Sequence, residues 1–129
     1  MNQRELNAEL CAYAKVGDLD GVKEALQQGA DIHVGGGAPL RDAARDGHLE
    51  VVKYLVEHGA DIHSQHNYAL RFAANNGYLE MVKYLVEHGA DIHSLDNTAL
   101  RWAKVRNHHR IVEYLTRPKL AGLLGEQEI

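Results

Sequence analysis

Apolar residues follow two patterns that alternate along the chain. Between residues 49 and 56, leucine and valine recur at the spacing of one helix face, and Gly59 stands where a helix ends in a left-handed residue. Between residues 39 and 44, a narrower stripe of leucine and alanine begins at a proline and is followed by Gly47. The pattern predicts two short antiparallel helices, the first with a narrow apolar face and the second with a broad one.

These two helices belong to an internal repeat with a period of 30 residues. The run LEVVKYLVEHGADIH at residues 49–63 returns at residues 79–93 with one substitution, Val51 to Met81. The block GADIH begins at residues 29, 59 and 89. Such units bury their apolar faces by stacking on their neighbours, so one continuous core is expected.

Four units are predicted, at about residues 5–34, 35–64, 65–94 and 95–117. Together they make one all-α domain over residues 1–117.

The first and fourth units differ from the inner pair as terminal caps do. Gly21 replaces the valine or methionine of the inner units, which makes the outer face less apolar. Lys104 and His109 occupy slots that hold small or apolar residues in the inner units, so the array is expected to end there. Residues 118–129 follow no repeat pattern and are predicted to be a C-terminal tail, either a short helix or partly disordered.

Composition restricts the class of protein and its location. The 129 residues carry a formal net charge of −4 with dispersed signs, without the basic stripe typical of nucleic-acid binding. The sequence has no run of about 18 apolar residues, and its N-terminus does not resemble a secretory signal. The single Cys11 cannot form an internal disulfide. We therefore expect no nucleic-acid partner, no membrane association and a cytoplasmic location.

Residues 5–116 resemble ankyrin repeats. The matching segments are GDLDGVKEALQQGAD at 17–31, GHLEVVKYLVEHGAD at 47–61 and GYLEMVKYLVEHGAD at 77–91. The resemblance implies an ankyrin-repeat solenoid and a non-catalytic module that binds a protein across the concave surface made by the first helices and the connecting fingers. The short variety with an ALR motif is similar to arrays of giant viruses and some intracellular bacteria, for which the location would be the host cytoplasm.

Two departures from the family pattern affect the predicted structure. Ankyrin units usually have about 33 residues, and the shorter period here removes residues between GADIH and the next helix, so a shortened finger is predicted. The usual TPLH motif is replaced by APLR, YALR and TALR, which places Arg41, Arg71 and Arg101 where the family has histidine. An arginine at a helix N-terminus is disfavoured by the helix dipole unless it finds an acceptor. We expect each guanidinium to reach a connector carbonyl or a carboxylate and to hold adjacent units in register.

Metal binding and catalysis are the alternatives that the nine histidines and the repeated aspartates raise. His33, His63 and His93 recur in one slot, roughly 10 Å apart at helix-packing distance, which is too far for an ion bound at about 2 Å. The aspartates of GADIH recur in the same way, whereas a catalytic group should be unique in the array. The run Gly35 to Gly37 lacks the Lys-Ser/Thr of a phosphate loop and is interpreted as a flexible finger. We predict no metal, no cofactor and no enzymatic activity.

The candidate binding positions are those at which nearly identical units differ. In the slot after the arginine, Asp42 becomes Phe72 and then Trp102, the only phenylalanine and tryptophan in the chain. These rings are either adjacent anchors for a partner or packing against the neighbouring unit, and variation elsewhere is either recognition or drift on a solvated face. The candidate partner-binding residues are Gln65, His66, Tyr68, Phe72, Asn75, Asn76, Leu95, Asp96, Trp102, Val105 and Arg106.

The predicted function is that of a monomeric adaptor or scaffold that binds a protein partner. The alternative hypothesis is a structural or targeting segment of a longer protein whose function lies elsewhere.

Overall fold

The computed structural model describes residues 1–117, which form eight α-helices in four pairs. The helices are α1 (Gln3–Val16), α2 (Leu19–Gln27), α3 (Val34–Arg45), α4 (Leu49–Glu57), α5 (Ser64–Asn76), α6 (Leu79–Glu87), α7 (Ser94–Val105) and α8 (His109–Thr116). The predicted C-terminal tail, residues 118–129, lies outside the described residues.

The helices form two layers. The first helices of the four units, α1, α3, α5 and α7, pack in sequence against each other, and the second helices, α2, α4, α6 and α8, pack in a parallel row. One core of leucine, valine, alanine and isoleucine runs between the layers through all four units. The predicted all-α stack of four helix pairs is therefore confirmed.

A glycine closes the turn between the two helices of each of the first three units, and a ring from the next unit covers it. Gly47 has φ +83°, and a β-carbon there would lie 2.9 Å from the Tyr78 ring. Glycine satisfies both the left-handed backbone and the close approach of the ring. The same contact recurs between Gly17 and His48 and between Gly77 and His108.

In the first unit the core volume is divided differently between the two helices. Gly21 is buried, and a β-carbon on it would lie 2.4 Å from the Tyr13 ring. Tyr13 stands in the slot that holds Ala43 in the second unit, whereas Gly21 stands in the slot of Val51. The interpretation of Gly21 as a less apolar outer face is wrong, because the tyrosine ring of the preceding helix fills the space that the glycine leaves.

Short left-handed turns join the units, and each lies just after the first residue of α3, α5 or α7. Residues 35–37, 65–67 and 95–97 lie consecutively in the left-handed region, with φ between +51° and +93°. The turn is closed by a backbone hydrogen bond, as from Asn67 N–H to the His63 carbonyl at 3.2 Å. The predicted shortening of the finger is confirmed, and the glycine run predicted to be a flexible finger adopts the same defined turn as its counterparts.

Candidate functional site

The first-helix face is the side of the first helices that points away from the second helices. In each unit it consists of four slots at i, i+3, i+4 and i+7, opposite the buried alanines and leucine. From the first unit to the fourth, the four slots hold Ala8, Cys11, Ala12 and Lys15, then Ala38, Arg41, Asp42 and Arg45, then Tyr68, Arg71, Phe72 and Asn75, then Thr98, Arg101, Trp102 and Val105. This is the surface that the resemblance predicts to be concave.

The arginines of the TPLH-like motif bond to the left-handed turn of their own unit. Arg71 donates from Nε to the His66 carbonyl at 2.9 Å and from Nη2 to the Gln65 carbonyl at 3.0 Å. Arg41 and Arg101 bond to the equivalent carbonyls. The predicted contact with a connector carbonyl is confirmed. These hydrogen bonds stay within a unit, and the contacts of the arginines with the next unit are those of Arg41 with the Tyr68 ring and of Arg71 with the Trp102 ring.

The serines that begin α5 and α7 bond to the turn of the preceding unit and so make the link between units. The Ser94 hydroxyl donates to the His66 carbonyl at 2.8 Å, and the Ser64 hydroxyl donates to the Gly36 carbonyl. Each of these carbonyls therefore accepts from the arginine of its own unit and from the serine of the next. The sequence reasoning missed the serines, although their recurrence at one slot was a usable signal.

Three rings of the third and fourth units form an aromatic cluster around Arg71. Tyr68 stacks on Phe72 with centroids 4.2 Å apart, and Phe72 meets Trp102 edge-on at 5.2 Å. The Arg71 guanidinium carbon lies 5.6–5.8 Å from all three centroids, and Arg41 lies 5.8 Å from the Tyr68 centroid. The rings pack across the two units, as the packing alternative requires, and each remains half-buried with part of its surface open.

On this face Arg45 pairs with Asp42 and Asp46, whereas the three arginines of the TPLH-like motif have no carboxylate partner among the described residues. Burial lowers the pKa of Arg71 from its usual value, which reflects the cost of removing the cation from water. Among the described residues, none of Arg41, Arg71 and Arg101 has a carboxylate within salt-bridge distance. The equivalent slot in the first unit holds Cys11, whose pKa is raised by burial and by Asp42.

A polar groove of about 700 Å³ lies at the C-terminal ends of the first helices. Asn76 Nδ2 donates to the Arg45 carbonyl at 2.9 Å, and Arg106 Nε donates to Asn75 Oδ1 at 3.3 Å. These candidate residues therefore connect neighbouring units as well as facing the groove. The rings of Tyr78 and His108, which were not among the predicted candidates, also border the groove. The lining residues are Arg45, Asp46, Asn75, Asn76, Tyr78, Arg106 and His108.

The remaining candidate residues lie on the turns or at a helix end. Gln65 and His66 are exposed on the third unit's turn, as are Leu95 and Asp96 on the fourth. Val105 is 76% exposed at the end of α7. The structure thus separates the candidates into an aromatic cluster, a polar groove and two exposed turns.

Several histidines have structural contacts. The imidazole Nε2 of His48 lies 2.9 Å from the Lys15 carbonyl, and that of His108 lies 2.9 Å from the Asn75 carbonyl, so both bridge neighbouring units. Residues 1–117 contain no group of three or more His, Cys, Asp or Glu arranged to hold a metal ion. Within the same range, no helix has the length and apolar character needed to cross a membrane.

Comparison with known families gives one match. The model described as ankyrin repeats (3 copies) matches residues 8–96 and 62–122. No curated protein matches the chain. The family match covers most of the chain, including both inner units.

Proposed function

Because the chain belongs to the ankyrin-repeat family, we propose that it is a non-catalytic module that binds another protein across the first-helix face. Ankyrin repeats are in general protein–protein interaction modules. The observation that carries the proposal for this chain is the half-buried aromatic cluster of Tyr68, Phe72 and Trp102, at slots where the otherwise similar units differ.

The contrast between the two helix layers supports this assignment. On the second helices, the same lysine–tyrosine contact is repeated between successive units, with Nζ 5.6–5.9 Å from the ring centroid. The pairs are Lys23 with Tyr54, Lys53 with Tyr84 and Lys83 with Tyr114. The first-helix face instead changes from Asp42 to Phe72 to Trp102 at a single slot. A recognition surface needs residues that the scaffold does not dictate, and these lie on the first-helix face.

The chemistry of the face fits a macromolecular partner better than a small molecule. Aromatic and arginine side chains are enriched among the residues that contribute most to protein interfaces, and the rings bury a large area with few torsions to restrict. The groove at the ends of the first helices is open and polar, whereas small-molecule sites are enclosed and mostly apolar. An extended segment of another protein would cover the open stripe formed by several units.

Affinity purification with three forms of the protein tests the proposal. The wild type, the Phe72→Ala/Trp102→Ala variant and a His58→Ala/His88→Ala control are each used as bait, with circular dichroism to verify folding. The control removes two exposed rings that stack on tyrosines of the second helices. We expect the wild type and control to retain the same partner and the cluster variant to lose it. Retention of that partner by all three forms would place the binding surface elsewhere.

The other candidate residues belong to the same proposal as a surrounding rim. We propose that the exposed turns and the polar groove contact the partner outside the aromatic cluster, and that the protein is a cytoplasmic monomer. Light scattering after size exclusion measures the mass in solution, and imaging of a tagged chain shows its location. These additional partner contacts are Gln65, His66, Asn75, Asn76, Leu95, Asp96, Val105 and Arg106.

A further inference from the structure

The first-helix face is cationic although the chain as a whole is acidic, with a formal net charge of −4. Its slots hold five basic side chains and a single carboxylate. That carboxylate, Asp42, already pairs with Arg45 at 3.3 Å. The basic residues are Lys15, Arg41, Arg45, Arg71 and Arg101.

The three arginines of the TPLH-like motif retain donors after their contacts with the turns. A guanidinium has five N–H groups. Arg41 uses Nη1, whereas Arg71 and Arg101 use Nε and Nη2 for their turn bonds. Removing a cation from water is costly unless an anion accompanies it. Arg71 lies among three rings, and no carboxylate of residues 1–117 pairs with it. An acidic group from outside the chain would neutralise its charge and accept hydrogen bonds from its remaining N–H groups.

The repeat sets the spacing that such acidic groups need. Neighbouring helices pack about 8–10 Å apart, so equivalent slots recur at about that interval. A peptide in the extended polyproline II conformation advances about 3.1 Å per residue and completes a turn every three residues, so every third side chain lies on the same face at about that interval. Carboxylates at every third position of a polyproline II peptide therefore match Arg41, Arg71 and Arg101.

We propose that the first-helix face binds an extended acidic segment of a partner protein, with carboxylates at every third residue paired to Arg41, Arg71 and Arg101 and an apolar side chain against Phe72 and Trp102. This inference rests on the proposed protein-binding function and names the chemistry of the partner. Arginine binds carboxylates through its planar fork, and the aromatic cluster supplies the area for an apolar anchor.

A protein segment fits this face better than a nucleic acid. Single-stranded nucleic acids also use basic grooves with aromatic rings. Their affinity, however, comes chiefly from neutralising many phosphates. This face offers only a short row of cations on a chain of net negative charge, with Asp96 exposed on the turn beside Arg101.

Titration with synthetic peptides tests the proposal, with the fluorescence of Trp102, the only tryptophan, as the signal. The first peptide carries three glutamates at every third position and one leucine in a glycine–serine background. The second has the same composition with the glutamates adjacent, the third replaces glutamate by lysine, and oligothymidylate is the nucleic-acid probe. We expect the spaced glutamate peptide to bind about tenfold more tightly than the adjacent one, as for loss of one charged pair. The affinity should fall as salt is raised.

Matched variants locate the contact. Arg101→Gln should weaken the spaced peptide by about three- to tenfold. Arg110→Gln should leave the affinity unchanged, because Arg110 is exposed on α8 outside the first-helix face. Arg71 is not used as the test residue because its loss would also remove contacts with all three rings of the aromatic cluster.

The outcomes separate this inference from the proposed function. Equal affinity for the spaced and adjacent peptides would overturn the spacing, and tighter binding of oligothymidylate would overturn the choice of partner. If no acidic peptide binds while a purified partner still depends on Phe72 and Trp102, the acidic chemistry is wrong and the protein-binding function stands. If the spaced peptide binds and Arg101→Gln weakens it, the inference is supported even when the purification recovers nothing.

Discussion

The first two units and the last two follow the same helix pattern but assign different side chains to the same slots. In the first pair, the half-buried Tyr13 ring packs over Gly21, and the connecting turn is Gly35 to Gly37. In the last pair, the equivalent core slots hold alanine and a larger apolar residue, while the rings of Phe72 and Trp102 lie on the first-helix face. The comparison shows that the same backbone can place its aromatic volume either between the two helices of a unit or on the first-helix face.

The turns differ in strain between the two halves. A left-handed conformation costs an L-residue about 1–2 kcal/mol, whereas glycine adopts it freely. Gln65, His66, Leu95 and Asp96 all adopt it in the last two units. Strain of this kind is commonly found at functional sites. In this chain it exposes side chains at the rim of the candidate face and aims carbonyls at the arginine and serine donors.

Gly21→Val should cause the largest loss of stability, because it adds a side chain where the Tyr13 ring packs in the first unit. The added β-carbon would lie 2.4 Å from the half-buried Tyr13 ring of the preceding helix. Overpacking of this kind costs about 1–3 kcal/mol. We expect a loss in unfolding free energy near the upper end of that range, measured by urea denaturation.

The double variant Tyr13→Ala/Gly21→Val is the control for that steric mechanism. It recreates the combination of Ala43 and Val51 found in the second unit. We expect it to be at least about 1 kcal/mol more stable than the sum of the two single effects predicts, because the slots are in contact. Additive losses would show that the ring and the glycine do not form a pair.

Arg71→Ala should cause the next largest loss of stability, and its comparison with Arg41→Ala distinguishes the third unit from the second. The substitution removes two hydrogen bonds to turn carbonyls and contacts with three rings. We expect a loss of about 1–2 kcal/mol in unfolding free energy. Arg41→Ala, which removes one such bond and one ring contact, should cost about half as much.

The control for the arginine series is Arg110→Ala, expected to stay within about 0.5 kcal/mol of the wild type. Lys83 is unsuitable, because its Nζ lies 5.9 Å from the Tyr114 ring centroid and 3.7 Å from a Glu80 oxygen. If Arg71→Ala changes stability no more than Arg110→Ala does, the arginine contacts have no structural role.

The period, the helix pairs and their ends could be predicted because their signals are local. Apolar spacing, a glycine after each helix of the first three units and recurring blocks all lie within one unit. The exchange of volume between Tyr13 and Gly21 could not be predicted from either slot alone, because it is a property of two helices in contact. The left-handed turns were missed because residues such as Gln65 and Leu95 seldom adopt positive φ.

The candidate site was predictable only in outline. Differences between equivalent slots identified Phe72 and Trp102, whose rings the structure brings together at 5.2 Å. The acceptors of the arginines were predictable as a class, because a cation at a helix start needs an oxygen nearby. The role of Ser94 depends on where the preceding turn directs its carbonyl, which only the folded backbone defines.

Substitutions in the left-handed turns should change stability less, with a gain in the last two units and a loss in the first two. Leu95→Gly relieves left-handed strain but raises the entropy of the unfolded chain, so we expect a gain of about 0.5 kcal/mol. Gly36→Ala, at φ +65°, should cost about 1 kcal/mol. The new β-carbon would meet the flexible Gln65 amide at 3.0 Å and Arg41 Nη1 at an ordinary 3.8 Å, so backbone strain decides the result.

Ala12→Gly, on an exposed right-handed position of α1, controls for glycine entropy and should destabilise by about 0.5–1 kcal/mol. If Leu95→Gly destabilises by the same amount as Ala12→Gly, the turn is not strained in solution.

The smallest effect is expected in the order of opening of the two ends, since each terminal unit has a single neighbour. The glycine turn enlarges the conformational freedom of the opened first unit, while the ring contact of Phe72 and Trp102 strengthens the last junction. We therefore expect faster native-state hydrogen exchange around Val22 and Leu26 than around Ile111, by about tenfold or less. Tyr13 works against this difference, because its ring covers Gly21 and removes one source of weakness in the first unit. Equal or reversed exchange rates would show that the packing of the Tyr13 ring outweighs the glycine turn.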